Sequence, residues 1–353
     1  MTRALELAER GLYTTTPNPR VGCVLVKNGE IVGEGWHDRT GEPHAEALAL
    51  QAAGEKAHGA TAYVTLEPCA HYGRTPPCSV ALVRAKVARV IAAMEDPNPL
   101  VAGKGLETLR GSAVATESGL MEEAARELNI GFVSRMTRGR PWVRMKIAAS
   151  LDGRTALSNG RSRWITGPDA RRDGHRWRAR ACAVLTGIGT VRDDDPELTV
   201  RDIETPRQPV RVVVDSRLET PVAARVLAPG TLIAAAYRDE RRIDALAARG
   251  AEIVVLPNVS GKVDLSSLMC ELARREMNEV HVEAGFKLNG SLLQENLVDE
   301  LVVYIAPHVL GDKAQGMFHL PELHDLSARH ELELREVSTL GGDVRVIARV
   351  KRS

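Results

Sequence analysis

Three stretches decide how the first part of this chain is read: Glu42-Pro43-His44-Ala45-Glu46, Thr65-Leu66-Glu67-Pro68-Cys69 and Pro76-Pro77-Cys78. One imidazole and two thiols supply three zinc ligands, and a catalytic zinc site keeps its fourth position for water. Glu46 lies two residues beyond His44, beside the metal without serving as a ligand. That suits a carboxylate which carries a proton from water to a departing amine. The prolines before His44, Cys69 and Cys78 predict that each ligand opens a helix, where the positive end of the dipole favours thiolate. Taken singly, these residues read as a surface histidine and two small core cysteines. Their joint spacing argues for metal. A structural zinc would require a fourth protein ligand, for which His71 and Cys23 are the candidates.

Outward from this segment, the first 140 residues alternate helix and strand. Leu5 to Arg10 predicts a helix, and Val21 to Lys27 a strand that turns at Asn28-Gly29 into a hairpin partner, Glu30 to Gly35. Helix His44 to Ala53, strand Ala62 to Thr65, helix Ser79 to Lys86, buried strand Val87 to Ala92 and helix Leu120 to Leu128 follow. The turn-forming Arg138-Gly139-Arg140-Pro141 marks a boundary. Beyond it come apolar strands at Trp142 to Ala148, Val184 to Leu185, Val210 to Val214, Leu232 to Ala235, Ile253 to Leu256, Val280 to Val282 and Leu301 to Ile305. Helical patterns separate them, so this half should form a largely parallel sheet covered on both faces.

The second half lacks a G-x-G-x-x-G fingerprint. It does hold two glycine-bearing segments just after apolar strands: Thr186-Gly187-Ile188-Gly189-Thr190, and Glu283 to Ser291, expected as a loop leading into a helix from Leu292 to Leu297. Strand ends of this kind bind nucleotide phosphates, although a tight strand-to-helix turn would look the same. Between them, Asp193-Asp194-Asp195-Pro196 reads as a solvated turn or as carboxylates for ribose hydroxyls. Six cationic or imidazole side chains crowd Ala170 to Arg180, mostly a solvated face with one or two pointing inward.

The 47 basic and 46 acidic residues nearly cancel, so nothing draws the chain to nucleic acid or to an anionic membrane. Five cysteines, an odd count in 353 residues, argue against a disulfide framework. No apolar run approaches the roughly 18 residues of a membrane span, and the first helix lacks a signal peptide's apolar centre. A cytoplasmic enzyme is expected.

Nucleobase deaminases commonly separate their two cysteines by two residues. Here eight intervene, and that loop carries His71 and Arg74, which suit a polar, phosphorylated substrate or simply a solvated loop. With Pro17-Asn18-Pro19-Arg20-Val21-Gly22, Gly73-Arg74-Thr75-Pro76-Pro77-Cys78 and Asp96-Pro97-Asn98-Pro99 before Gly103-Lys104-Gly105, the first half resembles the deaminase of the bifunctional riboflavin-biosynthesis deaminase/reductase family. Lys146 to Arg154, Ser162 with Trp164-Ile165-Thr166-Gly167, the Gly187 turn, Asp194 to Arg201 and Glu283 to Ser291 are similar to that family's reductase half.

The resemblance implies a cytidine-deaminase-like three-layer α/β/α domain over residues 1–140, with one catalytic zinc on His44, Cys69 and Cys78, and Glu46 as proton carrier. Asn18, His71, Arg74 and Asn98 would contact substrate, although the two asparagines among prolines are equally good turn formers. It implies a dihydrofolate-reductase-like α/β domain over residues 141–353 that uses NADPH. Ala148, Trp164, Thr190, Asp194, Ser216, Gly285, Phe286, Lys287, Leu288, Asn289, Gly290 and Ser291 would serve the cofactor. Ser162, Arg178, Leu198, Arg201 and Glu283 would hold the sugar phosphate, with Lys146 and Asp194 flanking the carbon that receives hydride. Two positions depart from the family pattern: Cys182, where an acidic residue is expected, and Phe286-Lys287-Leu288-Asn289, where small residues are usual.

The expected activity is zinc-dependent deamination of a diaminopyrimidinone ribosyl 5′-phosphate, followed by NADPH reduction of the ribosyl chain to ribityl, in a homo-oligomer. Two rival readings are a tRNA or nucleobase deaminase with an accessory nucleotide-binding domain, and a structural zinc module joined to a nucleotide-sensing domain.

Overall fold

Cys23 and Leu25 face one way from their strand and Val24 faces the other, and this alternation builds the first of two units. The computed structural model describes residues 1–70, 76–99 and 101–351, and the chain divides into Met1–Arg140 and Pro141–Ser353.

The first unit runs α1 (Thr2–Glu9), β1 (Gly22–Lys27), β2 (Glu30–Trp36), α2 (Ala45–Ala53), β3 (Thr61–Val64), α3 (Cys78–Arg84), β4 (Arg89–Ala92), α4 (Lys104–Gly111), β5 (Ala115–Ser118), α5 (Glu122–Leu128) and α6 (Ile130–Arg138). Its sheet has the order β2-β1-β3-β4-β5. The pairs β1–β2 and β1–β3 are antiparallel, whereas β3–β4 and β4–β5 are parallel. Cys23, Leu25, Val64 and Val90 pack beneath Ala45 and Ala49 of α2, Leu82 of α3 and Leu106 and Leu109 of α4. On the other face Val24 meets Ala4 and Leu7 of α1, and Leu5 joins Leu66, Met94 and Ala125 of α5. These are the three layers the resemblance implies. Each fully buried leucine contributes about 1.5–3 kcal/mol.

Glycine decides how closely α2 approaches. A Cβ on Gly35 would lie 2.4 Å from the Ala45 carbonyl oxygen, and one on Gly33 would lie 2.3 Å from that of Ala49. Without side chains at both positions of β2, the helix that starts at His44 rests directly on the strand.

The second unit contains β6 (Trp142–Ser150), β7 (Arg154–Ala156), α7 (Pro168–Arg180), β8 (Ala183–Gly187), α8 (Ile188–Asp194), β9 (Val210–Val214), β10 (Thr231–Ala235), α9 (Glu240–Ala247), β11 (Ala251–Val255), α10 (Leu265–Arg274), β12 (Glu279–Val282), α11 (Phe286–Gln294), β13 (Glu300–Ala306), β14 (Gln315–Gly316), β15 (Leu332–Leu340) and β16 (Asp343–Val350). Nine strands order as β11-β10-β9-β8-β12-β6-β13-β16-β15. Those from β11 to β13 run parallel, and β16 and β15 close one edge antiparallel. Leu268, Leu272, Leu292 and Leu293 of α10 and α11 cover one face with Met145, Leu185 and Val282. Val191 of α8 and Leu246 of α9 cover the other with Val184, Val213 and Ile233.

Two expected boundaries change. Cys69 does not open a helix; Glu67 to Ala70 are irregular, although His44 caps α2 and Cys78 begins α3. The segment from Phe286 to Ser291 is not a loop, because α11 already begins at Phe286 with Gly285 as its cap.

Candidate functional site

In the first unit the chain turns from β3 into Thr65–Ala70 and brings Cys69 to the first turn of α3. The Cys78 N–H donates to Cys69 Sγ at 3.2 Å. The Ser79 N–H and hydroxyl both donate to the Cys69 carbonyl, at 3.2 and 3.0 Å. His44 Nδ1 lies 3.3 Å from Cys78 Sγ and 3.6 Å from Cys69 Sγ. The three ligating atoms lie within 4.8 Å of one another, and among the described residues no other group of three or more metal-ligating side chains gathers this way. Cys23 is buried outside the group, so no fourth protein ligand comes from it. One imidazole and two thiols match the three protein ligands of a catalytic zinc.

Glu46 sits in the first turn of α2 and is 3% exposed. Burial, with the charge of Cys69 beside it, pushes its carboxyl up to about 7, against a lowering contribution from His44. A hydrogen bond from Cys78 pulls the Cys69 thiol down to about 4, while the same shared proton and burial push Cys78 up. A carboxyl near 7 can both take and return a proton at neutral pH.

Asn18 reaches this centre through a residue that sequence reasoning missed. His37, 3% exposed, donates from Nδ1 to the Pro43 carbonyl at 3.2 Å, leaving Nε2 to accept from the Asn18 amide at 3.2 Å. Its ring meets that of His44 edge-on, with centroids 5.5 Å apart. Burial lowers its pKa. A lone histidine at the end of a strand gives no sequence signal for this role. His71 and Arg74 lie outside the described residues. Asn98 lies in the loop after β4, its N–H donating to Asp96 Oδ1 at 2.8 Å.

In the second unit the strand ends surround a cleft of about 610 Å³. Lys146, Ala148, Ser162, Trp164, Arg178, Thr190, Asp194, Leu198, Arg201, Glu283, Gly285, Phe286 and Asn289 all line it. Ser216, Lys287, Leu288, Gly290 and Ser291 are not among its lining residues. Ser216 Oγ accepts the Val263 N–H, Leu288 packs toward the core, and a Cβ on Gly290 would strike the His319 carbonyl at 2.0 Å. One face of α11 turns to the cleft and the other to the core, which a contiguous loop assignment could not separate.

Two arginines of α7 point inward. Arg178 grips Glu283 with two parallel N–H bonds, through Nε and, at 2.8 Å, Nη2, and Arg180 donates to Glu279 at 2.7 Å. Burial works to raise the Glu283 carboxyl, but Arg178, His281 and Lys146 outweigh it and hold it well below the usual range. Burial also lowers the pKa of Lys146, with Glu283 and Arg178 acting in opposite senses. Ser162 donates to Asp194 Oδ1 at 3.3 Å. Trp164 is 69% exposed, with the Arg171 guanidinium 4.6 Å above its ring.

Both family departures find a place. Cys182 Sγ accepts the Asn278 and Glu279 N–H groups at 3.2 and 3.5 Å, an acceptor's position just before β8. Asn289 is 2% exposed, donates to the Met317 carbonyl at 3.3 Å, and keeps a buried Oδ1 without a partner on the cleft wall. The Gly285 start of α11 and the cations Lys146, Arg178 and Arg201 that line the cleft fit a phosphorylated nucleotide cofactor.

Comparison with known proteins agrees with both halves. The cytidine and deoxycytidylate deaminase zinc-binding region matches residues 1–94, and the RibD C-terminal domain matches residues 141–346. The riboflavin biosynthesis protein RibD of Escherichia coli is 51% identical over 358 residues, covering 98% of this chain and 96% of that protein. That of Haemophilus influenzae is 48% identical over 361 residues, covering 98% and 95%. The solved RibD of Acinetobacter baumannii superposes with a TM-score of 0.92 at 44% identity, covering 99% of this chain and 98% of that one. A deaminase/reductase structure from Thermotoga maritima does so at 0.87 with 32% identity, covering 99% and 97%. The chain belongs to the riboflavin-biosynthesis family that joins a zinc-dependent pyrimidine deaminase and an NADPH-dependent reductase on one polypeptide.

Proposed function

We propose that residues 1–140 carry the deaminase and residues 141–353 the reductase, acting in turn on one diaminopyrimidinone ribosyl 5′-phosphate. The observation that carries this reading is the meeting of His44, Cys69 and Cys78 beside buried Glu46. Zinc held by those three side chains supplies a Lewis acid that brings deprotonation of water into the neutral range. Glu46 takes the water's proton and delivers it to the departing amine. Asn18, oriented by His37, and Asn98 hold the polar edge of the pyrimidine. His71 and Arg74 are assigned to the phosphorylated part of the same substrate.

NADPH supplies hydride to C1 of the open-chain, imine form of the ribose, giving a ribityl chain. Ala148, Trp164, Thr190, Asp194, Ser216 and Gly285, Phe286, Lys287, Leu288, Asn289, Gly290 and Ser291 are assigned to the cofactor; those lining the cleft make its direct contacts. Ser162, Arg178, Leu198, Arg201 and Glu283 hold the sugar phosphate. Lys146 and Asp194 flank C1, where the lowered pKa of Lys146 suits it to hand a proton to the imine nitrogen.

The protein works as a homo-oligomer in the cytoplasm on this reading. Support comes from edge strand β15, where Leu332, Leu334 and Val337 are exposed, and from five free cysteines. No helix among the described residues is long and apolar enough to cross a membrane. Glu46→Ala should abolish ammonia release while zinc stays bound and NADPH-dependent reduction of the deaminated intermediate continues. Surviving deamination would remove the proton-carrier role.

A further inference from the structure

The motif Asp96-Pro97-Asn98-Pro99 with Gly103-Lys104-Gly105 has no part in the chemistry above beyond Asn98. Its partner is Glu67, two residues before the zinc ligand Cys69. The Glu67 carboxylate is 3% exposed and takes four backbone N–H groups from this one segment. Oε2 accepts from Asp96 at 3.0 Å and Gly103 at 2.9 Å, and Oε1 accepts from Gly105 at 2.7 Å and Leu106 at 3.2 Å. Three of these donors are the otherwise unsatisfied N–H groups at the start of α4, where a negative charge is favoured. The packing leaves no slack. A Cβ on Gly105 would lie 1.9 Å from the Pro68 carbonyl oxygen and 3.1 Å from Glu67 Oε1.

We infer that Glu67 is a positioning residue which locks the Asn98 loop to the irregular segment bearing Cys69, so that one carboxylate sets the distance between metal centre and substrate loop. This rests on the deaminase reading of the first unit. The chemistry requires a carboxylate. A glutamine has the same size but turns one oxygen into an NH₂ donor, which would face two backbone N–H groups and leave them buried without an acceptor. The loop would detach on that side and Asn98 with it, whereas Cys69 keeps its three bonds from Cys78 and Ser79.

The test uses the full chain with zinc, whose reductase half reports independently on folding. Glu67→Gln should raise the deaminase KM by about ten-fold or more with kcat changed less than about three-fold, as expected for a lost binding contact. Zinc content and reduction of the deaminated intermediate should not change, and amide exchange at Gly103, Gly105 and Leu106 should accelerate. An unchanged KM overturns the inference. So does loss of zinc with an equal fall in kcat, which would place Glu67 in the service of the metal alone. If Glu67→Gln costs reductase activity as well, Glu67→Asp decides: it keeps the charge but falls one methylene short, so an unaltered KM again overturns it. Absence of ammonia release from the unsubstituted chain would instead refute the deaminase reading itself.

Discussion

The Cys78 N–H donates to Cys69 Sγ at 3.2 Å, so the helix that supplies one candidate zinc ligand also holds the other. Cys69 itself lies in irregular backbone, and the charge-favouring helix start reaches it from α3 rather than from its own segment. The eight residues between the two cysteines are therefore compatible with a tight metal centre.

Cys69→Ser keeps an acceptor for that N–H and exchanges thiolate for a much poorer zinc ligand. Zinc affinity, measured by competition with a chromophoric chelator, should fall by more than the roughly 10–100-fold seen on losing an outer-shell partner. NADPH-dependent reduction should be untouched. Zinc binding of unaltered strength would mean that Cys69 is not a ligand.

Arg178 and Glu283 meet through two N–H bonds, with both side chains less than a fifth exposed. Arg178→Lys preserves the charge but loses the planar fork, so Glu283 is held at one point. The reductase kcat/KM should drop by about 1.5–3 kcal/mol in transition-state terms, the value of a hydrogen bond to a charged group, or roughly 10–150-fold. Deamination rates should match those of the parent chain.

Arg144 is 2% exposed, donates to Glu279 at 2.9 Å and to Glu300, and lies 4.5 Å over the Trp177 ring. Arg144→Leu would leave two buried carboxylates short of a counter-charge, at a cost of about 3–5 kcal/mol. Urea unfolding of the variant should show the loss. A change under 1 kcal/mol, within the usual range for surface substitutions, would mean that the two glutamates find other partners.

Much of this was legible in the sequence, and the failures are specific. His44 caps α2 and Glu46 lies in its first turn, so spacing alone places the candidate ligand and the candidate proton carrier together. The parallel strands announce themselves as apolar runs because helices cover both faces. Glu67 and His37 were silent because their partners lie on other segments: Glu67 receives N–H groups from 29 to 39 positions away. The β15–β16 hairpin escaped because β15 is exposed along most of its length, with charges interleaved among its apolar residues. The helix start at Phe286 was placed late because glycines at 285 and 290 suggested a loop, yet Gly290 is needed for close packing against His319.

His175 supplies a pH dependence. Burial, then the charges of Arg178 and Arg201, push its pKa down to about 4, and its Nδ1 accepts the Arg201 N–H at 3.1 Å. An unfolded histidine titrates near 6.5. Between about 6.5 and 4 the unfolded chain binds a proton that the folded chain refuses, so stability falls with pH by at most about 1.4 kcal/mol per unit. His175→Gln retains an acceptor and removes this contribution. The parent chain should therefore lose more urea resistance between pH 7 and pH 4.5 than the variant does. Parallel losses would exclude the histidine.

The central claim is that two chemistries occupy two separate sites on one chain, and removal of zinc tests it most directly. After chelation and desalting, ammonia release from the diaminopyrimidinone substrate should fall to background and return on addition of one equivalent of zinc. NADPH oxidation with the deaminated intermediate should proceed at an unchanged rate throughout. Loss of both activities, or persistence of deamination without metal, would contradict the account.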